Sequence, residues 1–399
     1  MRRFAAMLAF AALGVFAPSA LAANELYLST AGTDTGTCTK AAPCLTMKYA
    51  YTHSTNKEAN IVNMKAGTYG EQIVRGKNEK EAGTEVLFRA ELGTGAVNFS
   101  GTVYLGDGHI TIEKLGGGKL QDVVVGDYDE TPEEPDPENV LLHGVEGRSF
   151  NVSGGKNVRI TESTWGPSSS CGGPYGGFNN SIREIVPHQP PEKVFITDDT
   201  IHGVQSYNLG SCHTEGLAIF AGKEVEVNND VFYENSVYDV FVQQSEVGVK
   251  KESATLEGIY LQKDSMADPI DTSGANGEPA GSHNGRPFAT TYGEHIHLID
   301  DHLNGVISLE EAPISKFSDF TVEGTFGKVP YEYFECTTWT EKGVVFKHNV
   351  WANNIIPCAE DVSLSKGEGK PGKLPYVEGT DNSSLNYALT KPWSEEYVF

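Results

Sequence analysis

The sequence predicts an all-β chain wound as a solenoid of short stacked coils, and three observations carry that expectation. The first is a recurrent pattern. Val158–Trp165, Val194–Ile201, Val225–Phe232, Ile259–Met266, Ile296–Leu303 and Val344–Trp351 each read apolar-x-apolar, then polar residues around an Asn, Asp or Ser, then an apolar or aromatic residue. The alternation has strand period and the polar middle reads as a bend. A unit that returns every few tens of residues cannot bury its own apolar face, so it must stack on its neighbours. The second observation is that Val140 and Val158 open similar segments 18 residues apart, which is short enough for one tight coil. The third is punctuation: short apolar runs are separated by Gly, Asn and Asp turns, and a single segment has helical composition.

Taken in order, residues 1–22 read as a secretory signal peptide. Arg2-Arg3 is a positive start, Phe4 to Phe16 is apolar, and Ala20-Leu21-Ala22 offers small residues for cleavage. The apolar stretch is too short to span a bilayer, so the expected address is secreted or extracellular, with no membrane insertion. Residues 23–75 should form an N-terminal cap and the first strands. Glu25–Thr30 reads as a strand, Ala31–Cys38 as a turn-rich loop, and Ile61–Met64 as a second strand. Between them Thr46–His53 has the Ala, Met and Lys of a short helix, placed to cover the open end of the solenoid. Residues 76–358 should be the coils themselves, with strands at Val86–Phe88, Ile110–Ile112, Val123–Val125, Val140–Leu142 and Phe150–Val152 before the repeats begin. Loops rich in Gly, Pro, Ser or Tyr bulge at 166–192, 204–213, 267–292 and 327–342. Asp127–Glu138 is an acidic, Pro-rich loop without the spacing of a calcium-binding hand and reads as solvated. Residues 359–399 read as an extended C-terminal tail.

The formal net charge is −24. A surface this acidic repels nucleic acid and anionic lipid, and it repels a polyanionic sugar unless cations bridge the two. The charge also serves solubility. Six cysteines, Cys38, Cys44, Cys171, Cys212, Cys336 and Cys358, suit disulfides in an exported chain. Cys38 and Cys44 are close enough to staple one loop. Cys336 with Cys358 and Cys171 with Cys212 complete one set, although spacing leaves other pairings open. No Cys-x-x-Cys or His-rich zinc pattern, phosphate-binding Gly loop or Gly-x-Ser-x-Gly elbow occurs.

With the coils laid out, the chain resembles the right-handed parallel β-helix proteins of the pectate-lyase-like superfamily. The opening, from Tyr27–Asp34 through Pro43–Ala50 to Lys65–Tyr69, looks like the usual start of such proteins. The repeats from Val158 to Trp351 look like their coils, and Asn386–Thr390 looks like a frequent terminal phrase of exported members. The resemblance implies a right-handed parallel β-helix solenoid with a short N-terminal capping helix and long inserted loops. It does not choose an activity, because the superfamily includes lyases, hydrolases, epimerases, tailspikes and members of no known activity.

The candidate chemistry centres on Cys212-His213-Thr214-Glu215-Gly216 and, about one coil later, Val237-Tyr238-Asp239. Glu215 and Asp239 on one face at successive levels would have backbones about 4.8 Å apart. Two carboxyls so close suit glycoside cleavage, one protonating the leaving oxygen while the other activates water or attacks. The phrase is similar to the polygalacturonase Asn-Thr-Asp-Gly followed by Asp-Asp. Thr214 and Gly216 match, Glu215 replaces Asp, His213 stands where Asn is expected, and Tyr238 replaces one Asp of the pair. The Gly-His-Gly and Arg-Ile-Lys phrases of that family are absent. Lyase chemistry would instead need a base and a cation, with calcium as the cofactor, to neutralise a uronate carboxylate. His202, Tyr207, Lys263 and Arg286 are candidate substrate-binding residues near these coils. Aromatic residues beside the bulging loops suit sugar stacking, but Trp165 and others also suit coil cores. The expectation is therefore an exported β-helix that binds a polysaccharide in a lateral groove, through Glu215, Asp239, His213 and Tyr238, and cleaves it as a lyase or glycoside hydrolase. The alternative is a non-catalytic surface or adhesion solenoid that binds glycan or protein.

Overall fold

The computed structural model describes residues 23–75, 80–126, 136–168, 180–185, 189–205, 215–243, 254–266, 287–290 and 295–303. It also gives the backbone of strand segments at 246–247, 252–253, 286, 293–294, 307–309, 317–323, 326–327, 344–347, 350–351 and 383–384. The architecture is a parallel β-helix. A sheet of 12 parallel strands forms its first face, running from Asn24–Leu28 through Asn60–Met64, Val86–Ala90, Ile110–Glu113, Glu138–His143 and Lys156–Thr161. It continues through Glu192–Thr197, Gly222–Asn228, Leu256–Gln262, Gly293–Ile299 and Phe317–Glu323 to Val344–Lys347. The winding is right-handed, the hand that a connection between twisted parallel strands takes.

The recurrent pattern is the register of this sheet. Val158 lies opposite Val194, Val194 opposite Val225, Val225 opposite Ile259, and Ile259 opposite Ile296. Val140 pairs with Val158, so the tight coil is as expected. One rung was not among the six repeats. Phe320 sits between Ile296 and Val344 in the register, on the strand Phe317–Glu323.

After each of these strands the chain turns onto a second face, then a third, then returns. Lys119–Val125 and Glu146–Val152 each run across both of these faces. From there on the two separate. Glu146–Val152 pairs through Gly147 with Trp165 and through Val152 with Ile182. The second face continues as Thr164–Trp165, Thr200–His202, Val231–Tyr233, Ser265–Met266 and His302–Leu303. The third continues as Ser181–Ile182, Leu217–Ile219, Tyr238–Val242, Arg286–Thr290 and Ile307–Leu309.

The corner between the first and second faces is uniform. It occupies 144–145, 162–163, 198–199, 229–230, 263–264 and 300–301 in successive coils. Its first residue is left-handed each time, with φ near 58° at Gly144, 51° at Glu162, 59° at Asp198, 60° at Asn229, 59° at Lys263 and 58° at Asp300. The other two corners, which bound the third face, vary widely. Those entering it span 166–180, 203–216, 234–237, 267–285 and 304–306, and those leaving it span 153–155, 183–191, 220–221, 243–255 and 291–292.

Alternate residues of each strand point inward and fill one continuous core, to which Val158, Ile160, Val194, Ile196, Val225, Val227, Ile259 and Leu261 contribute at full burial. Burying each such side chain is worth about 1.5–3 kcal/mol, and only the stack provides the partner surface. Trp165 is fully buried in this core, edge-on to Phe150 with ring centroids 5.0 Å apart. It is core filler rather than a sugar platform. Gly147 opposite it is obligatory: a Cβ there would lie 2.3 Å from the Trp165 ring.

The N-terminal end is closed in two ways. The helix Met47–His53 starts at Thr46, whose side chain accepts from the Tyr49 N–H, as a good N-cap does. It buries Met47, Ala50 and Tyr51, and Tyr51 donates its hydroxyl to the Gly108 carbonyl at 2.9 Å. The edge strand Asn24–Leu28 is covered by the loop that the Cys38–Cys44 disulfide closes. Tyr27 N–H donates to the Cys38 carbonyl, and Cys44 N–H donates back to the Tyr27 carbonyl. Cys171, Cys212, Cys336 and Cys358, and the expected signal peptide, lie outside the described residues.

Candidate functional site

Glu215, Tyr238 and Asp239 come together where the chain enters the third face. Leu217 pairs with Val240 and Ala218 with Phe241, so these segments are adjacent rungs. Gly216 N–H donates to the Tyr238 carbonyl at 2.9 Å. A Cβ on Gly216 would lie 2.6 Å from the Asp239 carbonyl oxygen and 2.8 Å from Asn235 Nδ2, so glycine lets the Glu215 segment press against the next coil. Asn235 organises this corner. Its Oδ1 accepts from Val204 N–H at 3.2 Å, and its Nδ2 donates to the Ile201 carbonyl at 3.0 Å and to Asp239 Oδ1 at 2.9 Å. Asn180 does the same one coil earlier, accepting from Phe150 N–H and donating to the Gly216 carbonyl. These amides satisfy backbone groups that the departing loops would leave unpaired.

The three side chains are buried: 1% of Glu215, 2% of Tyr238 and none of Asp239 is exposed. A small aromatic cluster lies beside them, separate from the main core, made of Ala218, Phe220, Val237, Tyr238, Phe241 and Ala289. The Tyr238 and Phe241 rings stack at 5.0 Å, and Phe220 meets Phe241 edge-on at 6.4 Å. Alanines at 218 and 289, above and below Phe241 in the register, leave room for its ring.

Arg286 occupies the register position of Tyr238 on the following coil. His213 and Tyr207 lie outside the described residues. Lys263 and His202 are elsewhere on the coil. Lys263 is the exposed left-handed residue of the first-to-second corner. His202 is on the second face, its ring stacked on Tyr233 at 4.9 Å and within 9° of parallel. Burial holds its imidazole below the usual histidine value, so it is neutral near pH 7. The 4.9 Å separation is the rung spacing, and Tyr260 and His297 form a similar pair at 5.0 Å on the first face. Rings stacked along the axis present their edges outward, which makes them struts between coils more than platforms for sugars.

Sequence reasoning did not single out Asn235, Phe220 or Phe241, which shape the site. The Asn-Ser that precedes Val237-Tyr238 was the available signal for Asn235. Two further polar groupings also went unread. Buried Asp122 accepts from the Arg148 guanidinium and from Ser149 Oγ. A cleft of roughly 210 Å3 lies among Lys80, Asp107, His109, Asp136 and Glu138. Lys80 donates there to the Ser54 carbonyl and Asn56 Oδ1, both at 3.0 Å, which ties the end of the helix to the coils. No three His, Cys, Asp or Glu side chains converge as a metal site among the described residues.

No family model and no curated protein sequence matches this chain. Among solved structures it is similar to a rhamnogalacturonan lyase, with 11% identity over 90% of this chain and 87% of that one, at a TM-score of 0.43. It is similar to XylC in complex with xylose, with 10% identity over 90% and 86% of the two chains and a TM-score of 0.41. A polygalacturonase from Erwinia carotovora is similar at 11% identity, over 83% of this chain and 93% of that one, with a TM-score of 0.26.

Proposed function

We propose that this chain is an exported protein that binds a polysaccharide along its third face, around Glu215, Tyr238 and Asp239. One observation carries the reading. Every connection that varies in length, from 144–145 onward, leaves the coil at one of the two corners bounding the third face, while the remaining corner keeps the same length. A rigid scaffold that concentrates its variable connections beside one face is arranged for recognition there. Carboxylates accept hydrogen bonds from sugar hydroxyls, and aromatic rings pack against sugar C–H faces. The net charge of −24 favours a neutral glycan, or a uronate glycan bridged by cations.

Cleavage needs one carboxyl as acid and the other as base or nucleophile, and Glu215 with Asp239 is the pair we assign to it. Lyase chemistry would draw on Tyr238 or Arg286 instead. The second reading, a non-catalytic surface solenoid, is favoured by the hydrogen bond from Asn235 that ties Asp239 into the corner.

The test is to screen the purified protein against neutral and uronate glycans, with and without calcium. Unsaturated products identify a lyase and new reducing ends alone a hydrolase, and Glu215→Gln and Asp239→Asn should abolish either. Binding without turnover supports the second reading. Retention of no glycan, or binding and turnover unchanged in both variants, overturns the site.

A further inference from the structure

The corner between the first and second faces contains a column of acids. The second residue of the corner is Ser163, Asp199, Asp230, Asp264 and Asp301 in successive coils. All four aspartates are buried, with exposures of 1%, 1%, 0% and 0%. One bond pattern repeats at each level. Ser163 N–H donates to Asp199 Oδ1 at 2.5 Å, Asp199 N–H to Asp230 Oδ1 at 2.6 Å, Asp230 N–H to Asp264 Oδ1 at 2.8 Å, and Asp264 N–H to Asp301 Oδ1 at 2.9 Å. The second oxygen of Asp230 accepts from Asn228 N–H, and that of Asp264 from Gln262 N–H, each at 3.1 Å.

Carboxyls so arranged stand about one rung apart, near 4.8 Å, in an interior where like charges repel strongly. The charged groups around them do not relieve this. The preceding corner residues are Glu162, Asp198, Asn229, Lys263 and Asp300, all exposed. Among them Lys263 is the only cation, while Asp198 and Asp300 add to the repulsion. The strand residues two positions earlier, Thr161, Thr197, Asn228, Gln262 and Ile299, carry no charge, and the residues that follow are Thr164, Thr200, Val231, Ser265 and His302.

We propose that the Asp199–Asp230–Asp264–Asp301 column is a proton store. At neutral pH it keeps protons on some of its carboxyls, and the coils it joins loosen as rising pH strips them. A protonated carboxyl resembles an asparagine amide here, with one oxygen accepting from the adjacent coil and the other able to donate. The electrostatics agree. Burial, and then the neighbouring acid, push Asp199, Asp230 and Asp264 well above the ordinary aspartate value, and burial raises Asp301 to about 8. The unfolded chain releases these protons near pH 4. Above that pH the folded chain binds more protons than the unfolded one, so stability is highest in acid and falls as pH rises through the folded values. Each retained proton makes the folding equilibrium about tenfold less favourable per pH unit.

The test compares the wild-type protein with the Asp230→Asn, Asp264→Asn double variant, by thermal unfolding from pH 5 to pH 9. The expected result is a wild-type midpoint that falls with pH, a shallower fall for the variant, and a variant that melts above wild type at pH 9. Equal slopes, or a variant that melts lower across the whole range, overturn the proposal. Infrared spectroscopy of the wild-type protein does not depend on the variant folding. A protonated-carboxyl carbonyl band that persists at pH 7 and vanishes on alkalinisation supports the column, and its absence at pH 7 refutes it.

Discussion

Replacing Gly147 with alanine probes how tightly the coils are packed. The added methyl would sit 2.3 Å from Trp165 Cζ3 and 2.7 Å from Cε3, whereas carbon atoms in contact prefer about 3.5–4.0 Å. Something must therefore give by more than an ångström, and both sides are held. The ring is fully buried against Phe150, and the Gly147 carbonyl accepts from Gly166 N–H at 2.8 Å. Overpacking of this kind costs about 1–3 kcal/mol, and with backbone on one side and a fixed ring on the other the upper end is expected. Trp165→Leu alone should cost about 3 kcal/mol, near the lower end for losing a large buried ring. It also removes the obstacle, so Gly147→Ala should then cost almost nothing, a coupling of about 2–3 kcal/mol. Urea unfolding followed by far-ultraviolet circular dichroism measures all four proteins without relying on tryptophan fluorescence. If Gly147→Ala unfolds at the wild-type urea concentration, or if the two losses simply add, the packing argument is wrong.

Two further outcomes follow from the N-terminal end. Cys38 and Cys44 are separated by 6 positions, and opening so short a loop should cost about 2 kcal/mol by the chain-entropy relation. In the Cys38→Ser, Cys44→Ser protein, hydrogen exchange should accelerate at Tyr27 and Ser29, whose N–H groups the loop holds, and leave Val158 and Val194 unchanged. Uniform acceleration along the chain would contradict this local role. Burial pushes the Tyr69 phenol up to about 12, and its hydroxyl donates to the Lys65 carbonyl. Between pH 10 and 12 the unfolded chain loses that proton and the folded chain keeps it, so stability should fall with pH in this window. Tyr69→Phe should remove that part of the fall in alkaline melting curves.

The fold was legible because the repeat carries its own register. Val158, Val194, Val225, Ile259 and Ile296 open similar phrases, and they are successive rungs. The rung at Phe317–Glu323 was passed over because Gly324 stands where the other phrases carry Asn, Asp, Ser or Lys. Its position midway between Ile296 and Val344 was the remaining signal. The column of acids was visible as letters but not as chemistry. Asp199, Asp230 and Asp264 read as ordinary bend residues, and only the left-handed residue before each one turns the carboxyl inward. The site was legible in part. The adjacency of the Glu215 and Asp239 segments followed from coil length, but their pairing did not. Leu217 meets Val240, a step of one residue from the spacing of Glu215 to Asp239, because the connections entering this face set its register independently of the first face. Lys263 and His202 were grouped with the site by nearness in sequence, which in a coil of three faces does not separate one face from another.

Parallel strands stacked in register at one rung spacing are also the geometry of a cross-β fibre. What divides this molecule from a fibre at its N-terminal end is that the donors and acceptors of Tyr27 and Ser29 are already engaged by residues 38 and 44. The disulfide loop is thus a chain terminator for self-assembly. A protein trimmed to begin at Asn60 would present Asn60–Met64 as an unblocked template, onto which another copy could add and propagate the spiral end to end.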